Sequence, residues 1–186
     1  RPGHRAVYTH GNRWPHLFLS SVLALCVFFF IDMKIAHLSA QVWDELREKP
    51  SLGNTLHIQI LAQQFAWNIQ YAGPDGKFQT RDDIQTMNQL HIPVHRPIEL
   101  EMQSKDVIHS FCLPNFRTKQ DIVPGMTTRL WFEATETGQF EIACAELCGL
   151  GHYRMRGILT IQEKQDFDAW LKKKGSEKNV KKEEDE

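Results

Sequence analysis

The sequence has only four cysteines in 186 residues, at positions 26, 112, 144 and 148. One close pair is too little for a disulfide scaffold. No two cysteines are spaced C-x-x-C, so the usual signatures of a zinc ribbon or a thioredoxin-type redox site are missing. There is no C-x-x-C-H, so the chain carries no c-type haem of its own. No acidic residue precedes Asp32, whereas Arg1, Arg5 and Arg13 do. The chain also lacks a strongly basic face: its net charge is −1, which argues against nucleic acid as a partner.

Hydrophobic residues make up 41% of the chain and charged residues 24%, enough for one ordinary globular domain with extensions. The longest apolar run is LFLSSVLALCVFFFI, residues 17–31. Extended from Trp14 to Ala36 it is long enough to cross a bilayer as a helix, with Lys34 snorkelling and Trp14 and Trp43 near the two ends. A buried core helix would show a polar face, which this run lacks. A secretory signal would need a small-residue cleavage site after it, and none is clear. A membrane anchor fits best. The three arginines place its N-terminal side in the cytoplasm and the rest of the chain on the opposite, oxidising side.

Residues 44–53 read as a short polar helix and a turn at Pro50–Gly53, and beyond them the pattern is strand-like. Leu56, Ile58, Ile60 and Ala62 alternate; then Phe65, Trp67, Ile69 and Tyr71 alternate in the opposite phase. The flip at Gln63–Gln64 predicts a β-bulge or a strand that changes sheet. GPDGKF (73–78) is a turn, and Asp75, Asp82 and Asp83 near it are expected in a solvated loop rather than at calcium. Further strands are expected around Ile98–Met102, 107–113, 127–134, 139–145 and Gly157–Ile161. Many short strands with regular turns predict a mainly β sandwich or barrel. Residues 163–175 form an amphipathic helix with Phe167, Trp170 and Leu171 on one face.

The chemistry is concentrated in CAELCGLGHYRM, residues 144–155. Zinc has no use for a thioether, and a simple disulfide leaves His152 and Met155 unexplained. Copper explains both. A mononuclear electron-transfer copper site takes two His, one Cys and a weak axial Met. Cys148, His152 and Met155 lie in that order on a loop between two strands, and His109 on an earlier strand supplies the remote imidazole. Cys144 is then one thiolate too many for a single copper. Two thiolates can bridge two coppers, each with one imidazole and a weaker donor.

Taken together, VIHSFCLPNFRTKQDIVPGMTTRLWF and CAELCGLGHYRMRG resemble subunit II of the haem–copper cytochrome c oxidases, over about residues 1–172. The resemblance implies a cupredoxin-like Greek-key β-barrel with an N-terminal transmembrane helix and a short C-terminal helix. It implies a dinuclear CuA centre held by His109, Cys144, Glu146, Cys148, His152 and Met155, with Glu146 contributing its backbone carbonyl. The Glu146 side chain is expected to help hold a magnesium at the interface with subunit I. The implied activity is that of a cytochrome-c oxidase. Electrons come from cytochrome c and pass to haem a in subunit I, where oxygen is reduced to water with proton translocation; subunit III is a further partner. Asp106 matches an acidic position in cytochrome c docking. Phe65 stands where the family commonly has an electron-input Trp, so Phe65 and Trp67 are both candidates for that step.

The expected layout is a cytoplasmic or inter-helix loop (1–13), a transmembrane helix (14–36), a linker (37–54), the cupredoxin CuA domain (55–162), a C-terminal helix (163–174) and a disordered charged tail (175–186). The family usually has two transmembrane helices here, so a first helix is expected to be lacking from this chain. A bacterial inner membrane with the copper domain on the periplasmic side is favoured over a mitochondrial one. The rival reading is a non-enzymatic copper carrier or assembly cupredoxin, distinguished by an exchangeable site and no bound subunit I. A quinol-oxidase relative without copper is disfavoured by retention of all six ligand positions. A nitrous oxide reductase CuA domain is disfavoured by the anchor.

Overall fold

Between Trp14 and Arg47 there is no glycine, and the one proline, Pro15, sits in the first helical turn, where its missing N–H costs nothing. In the computed structural model this stretch is helical throughout. It comprises α1 (Trp14–Val27), a wider π-helical segment (Phe28–Asp32) and α2 (Met33–Arg47). The structure describes residues 10–47 and 53–184, together with Gly3 and Tyr8. Trp14–Leu46 is long and apolar enough to cross a membrane, and its large apolar side chains are exposed. The helix does not stop at residue 36, as expected from the apolar run, but continues through most of the expected linker. The reason is local: MKIAHLSAQVWDELR is rich in good helix formers and holds no breaker. The turn expected at Pro50–Gly53 falls largely outside the described residues. The chain divides into two compact units, 1–49 and 50–186.

The second unit is built from ten strands. They are β1 (Leu56–Gln63), β2 (Ala66–Tyr71), β3 (Ile84–Met87), β4 (Gln89–Pro93), β5 (Pro97–Ser104), β6 (His109–Leu113), β7 (Thr118–Ile122), β8 (Thr128–Glu133), β9 (Gly138–Cys144) and β10 (Arg156–Gln162). They form two five-stranded sheets, ordered β3-β2-β1-β5-β8 and β4-β10-β9-β6-β7. The pairs β1/β5 and β4/β10 are parallel, so the chain crosses between sheets instead of meandering within one. Alternate residues of each strand fill the space between the sheets: Ile58, Ile60 and Ala62 from β1, Ile98, Leu100 and Met102 from β5, Leu159 and Ile161 from β10.

The phase flip at Gln63–Gln64 is a hairpin turn rather than a bulge. Gln63 pairs with Ala66, and Gln64 and Phe65 form the connection. With that register Ala62 faces Trp67, Ile60 faces Ile69 and Ile58 faces Tyr71. Even-numbered residues therefore point inward on β1 and odd-numbered ones on β2, which is the pattern seen in the sequence. Strands β3, β4 and β7 were not expected. β7 (TKQDI) is a polar edge strand, and Asn88, with φ of 59°, breaks β3 from β4. Asp83 is not in a solvated loop. It is buried, and it accepts hydrogen bonds from Gln70 Nε2 and from the Thr80 hydroxyl and N–H.

Helix α3 (Lys164–Glu184) packs Phe167, Trp170 and Leu171 onto the barrel. It continues past Gly175 to Glu184, where a disordered tail was expected. The added residues are mostly Lys and Glu, good helix formers, and Lys174 pairs with Glu177 at 2.9 Å, one turn on. Under the helix, His91 stacks on Trp170, with ring centroids 4.1 Å apart and planes within 12°. The Tyr71 hydroxyl accepts from the His91 N–H (2.7 Å) and donates to its carbonyl (3.0 Å), and His91 Nδ1 meets Gln162 Oε1 at 3.0 Å. Burial, and then the charge of Lys174, hold the His91 imidazole below its ordinary 6.5, against the hydrogen bond to Gln162. The folded chain thus resists a proton that the unfolded chain accepts. The contribution of His91 is fully present above about 6.5 and is lost as pH falls through that value toward the folded pKa. Stability measured by thermal unfolding should therefore fall on acidification below that value. His91→Phe, which keeps the stacked ring and removes the titration, should flatten that part of the profile.

Candidate metal centre

The second sheet delivers the donors from two places. β6 opens with His109, whose side chain is fully buried. β9 ends at Cys144, and the loop from there to β10 carries Cys148, a 3₁₀ turn at His152–Arg154, and Met155. Backbone hydrogen bonds close this loop on itself and onto β6. Cys144 N donates to Met155 O (3.3 Å), Ala145 N to Ser110 O (2.9 Å) and His152 N to Gly149 O (3.0 Å).

The side chains converge. The two thiol sulfurs lie 3.8 Å apart. Cys144 Sγ is 3.9 Å from His109 Nδ1 and 3.3 Å from the Glu146 carbonyl oxygen. Cys148 Sγ is 3.6 Å from His152 Nδ1 and 3.7 Å from Met155 Sδ. Donors held at about 2.0–2.3 Å by a common tetrahedral ion sit roughly 3.3–3.8 Å from one another, so the spacing suits bound metal. Donor atoms of His109, Cys144 and Cys148 all lie within 4.8 Å of each other. Cys148 and Met155 are buried, at 2% and 1% exposure, while the Glu146 side chain is exposed. Burial, and then the neighbouring Cys144, push the Cys148 thiol up to about 11. The thiol keeps its proton at neutral pH unless a cation displaces it.

Asp106 turns inward on this site. Its Oδ1 accepts from His109 Nε2 (2.8 Å) and from the Val107 N–H (2.7 Å), and its Oδ2 accepts from the Gln64 N–H (2.7 Å). A carboxylate only accepts, so the proton of His109 sits on Nε2 and the Nδ1 lone pair faces the sulfurs. Partial burial alone would raise the Asp106 pKa, but these donors outweigh it and hold the carboxyl below its usual range. The sequence pointed to Asp106 only as a docking acid. Its tie to His109 was readable as an i, i+3 pair but had no strand boundary to place it. Gln64 was missed altogether, although it sits at the phase flip.

Trp67 is fully buried against His109 (centroids 6.2 Å apart) and Phe111 (5.4 Å), a wall of the site rather than part of its surface. Phe65 is half-buried and lines a shallow hollow with Leu150, Gly151, Tyr153 and Arg154. Leu147, Leu150 and Tyr153 stand at 77%, 95% and 77% exposure on the donor loop.

Residues 75–162 match the family model described as cytochrome C oxidase subunit II, periplasmic domain. The alternative cytochrome c oxidase subunit 2 of Bradyrhizobium diazoefficiens is 34% identical over 152 residues, covering 70% of this chain and 54% of that protein. Among solved structures, the periplasmic domain of subunit II of cytochrome oxidase (CoxB) of Bradyrhizobium japonicum superposes with a TM-score of 0.58 at 28% identity. The match covers 66% of this chain and 94% of that one. The chain belongs to the cytochrome c oxidase subunit II family. Its barrel is cupredoxin-like, as the sequence implied. A further subunit II structure, solved as a mixed disulfide intermediate with the thioredoxin-like protein TlpAs, has a TM-score of 0.57 at 27% identity, covering 70% of this chain and 96% of its own. The chain spans about half the length of the curated relative described above.

Proposed function

We propose that this subunit II chain is the electron-input subunit of a cytochrome-c oxidase, and that His109, Cys144, the Glu146 carbonyl, Cys148, His152 and Met155 hold two copper ions. One observation carries the reading: the donor set is doubled. His109 and the Glu146 carbonyl flank Cys144, while His152 and Met155 flank Cys148. Thiolate and thioether suit Cu(I), and imidazole suits both oxidation states. When bound, such a centre supplies a one-electron site whose charge is shared between two metals.

The chain's own residues supply orientation and shielding. Asp106 fixes the His109 tautomer, and the burial of His109, Cys148 and Met155 keeps water from the inner side. Leu147, Leu150 and Tyr153 offer an apolar landing surface for cytochrome c, with Phe65 as the outer electron-input residue, Trp67 behind it and Asp106 nearby. The exposed Glu146 carboxylate is available to a magnesium shared with subunit I, which receives the electrons at haem a and reduces oxygen with proton translocation; subunit III completes the core. The helix from Trp14 anchors the chain in a bacterial inner membrane, with the barrel on the periplasmic side. There Cys144 and Cys148 need a thioredoxin-like dithiol to keep them reduced before copper loading, the kind of partner seen in the TlpAs mixed disulfide.

Copper analysis and EPR of the intact complex test this reading. The expected result is two coppers per chain, with hyperfine structure from one unpaired electron shared over both nuclei. A single localised copper, or rapid loss of metal from an isolated chain to a mild chelator, would favour the carrier reading instead.

A further inference from the structure

The turn between β1 and β2 touches both halves of the donor set. The Gln64 backbone N–H donates to Asp106 Oδ2 at 2.7 Å, and Asp106 Oδ1 holds His109 Nε2 at 2.8 Å. The Gln64 side-chain Nε2 donates to the Cys148 carbonyl at 2.6 Å. One residue in the β1–β2 turn therefore grips the β5–β6 connection and the loop between β9 and β10, both distant from it in sequence.

The metal loop is shaped to receive this turn. A Cβ on Gly149 would lie 2.7 Å from Gln64 Nε2, and Gly149 has φ of +126°, where side chains are disfavoured. A Cβ on Gly151 would lie 2.4 Å from the Phe65 ring. The seated Phe65 ring thus requires a glycine at 151, while at 149 the backbone conformation already requires one and the Gln64 amide occupies the space left free. Cys148 has a buried thiol and a carbonyl held from outside the loop, so its position is set from both ends.

We propose that Gln64 is a positioning residue for the metal centre: its amide fixes the Cys148 half, while its N–H fixes the Asp106–His109 half. This rests on the dinuclear reading for its functional meaning, but the clasp itself is made by protein atoms alone. The backbone N–H survives any substitution that keeps the turn, so a side-chain change loosens the Cys148 half selectively.

The test uses the chain of residues 1–186 in detergent. Gln64→Met keeps the length of the side chain and removes the donor; Gln64→Glu keeps the shape and places an acceptor against the Cys148 carbonyl. Thermal unfolding identifies which variant is folded like the parent. In the metal-free chain, alkylation of Cys148 should quicken about tenfold, the worth of one hydrogen bond, and copper loss to a chelator should quicken by a similar factor. Alkylation within twofold of the parent in a folded Gln64 variant would overturn the clasp. A parent chain that fails to bind two coppers would overturn the dinuclear reading instead, and the alkylation arm would still decide the clasp.

Discussion

A Cys148→Ser chain is expected to hold at most one copper and to lose the shared-electron EPR signature. Cys148 is the hub of the donor set: its sulfur lies 3.8 Å from Cys144 Sγ, 3.6 Å from His152 Nδ1 and 3.7 Å from Met155 Sδ. A serine hydroxyl is shorter, hard rather than soft, and keeps its proton at any accessible pH, so it cannot bridge. Loss of outer partners of a metal ligand costs about 10–100-fold, and loss of a bridging ligand should exceed the upper end of that range in electron transfer from cytochrome c. Cys112→Ser is the matched control. Cys112 neighbours Phe111, which points into the core, so strand alternation turns Cys112 to the other face of β6. That variant should keep both coppers. Copper content per chain and EPR of the purified complex read both outcomes.

The difference between these two cysteines was legible in the sequence because ligand order along one loop is a local property. Cys148, His152 and Met155 needed only their spacing, and His109 needed only an earlier β-rich segment. The structure brings these residues together with Cys144 and the Glu146 carbonyl. What the spacing did not reveal is what holds the ligands from outside. Gln64 and Asp106 are 42 residues apart and meet only because β1 and β5 lie side by side and the hairpin turn folds over the loop. Non-local hydrogen bonds of this kind leave no periodic trace. The same limit explains the misread flip at Gln63–Gln64, since a bulge and a two-residue hairpin both invert the inward phase, and pairing alone separates them. Helix ends failed for the opposite reason. Apolar content marked where a membrane span is long enough, whereas the helix continues as long as its residues favour it, to Arg47 and, in α3, to Glu184.

Trp67→Ala should be among the most destabilising single changes in the barrel, at about 3–5 kcal/mol. The indole has no exposed surface, lies opposite Ala62 in the β1–β2 pair, and packs edge-on to Phe111 and His109. Removing it opens a cavity beside the ligand that Asp106 holds, so the loss should also loosen His109 Nδ1 relative to Cys144. Trp67→Phe should behave differently. It retains most of the ring volume, and it also removes the indole Nε1–H, which is buried with no hydrogen-bond partner among the described residues. Relief of that unsatisfied donor offsets part of the lost packing, leaving a cost under about 2 kcal/mol. If Trp67 served mainly to carry electrons in from the surface, the two substitutions would slow cytochrome c oxidation alike while leaving the unfolding midpoint of the chain unchanged. The packing role predicts that thermal unfolding separates Ala from Phe, whereas Phe65→Ala, at the half-buried outer position, slows electron input with a much smaller stability loss.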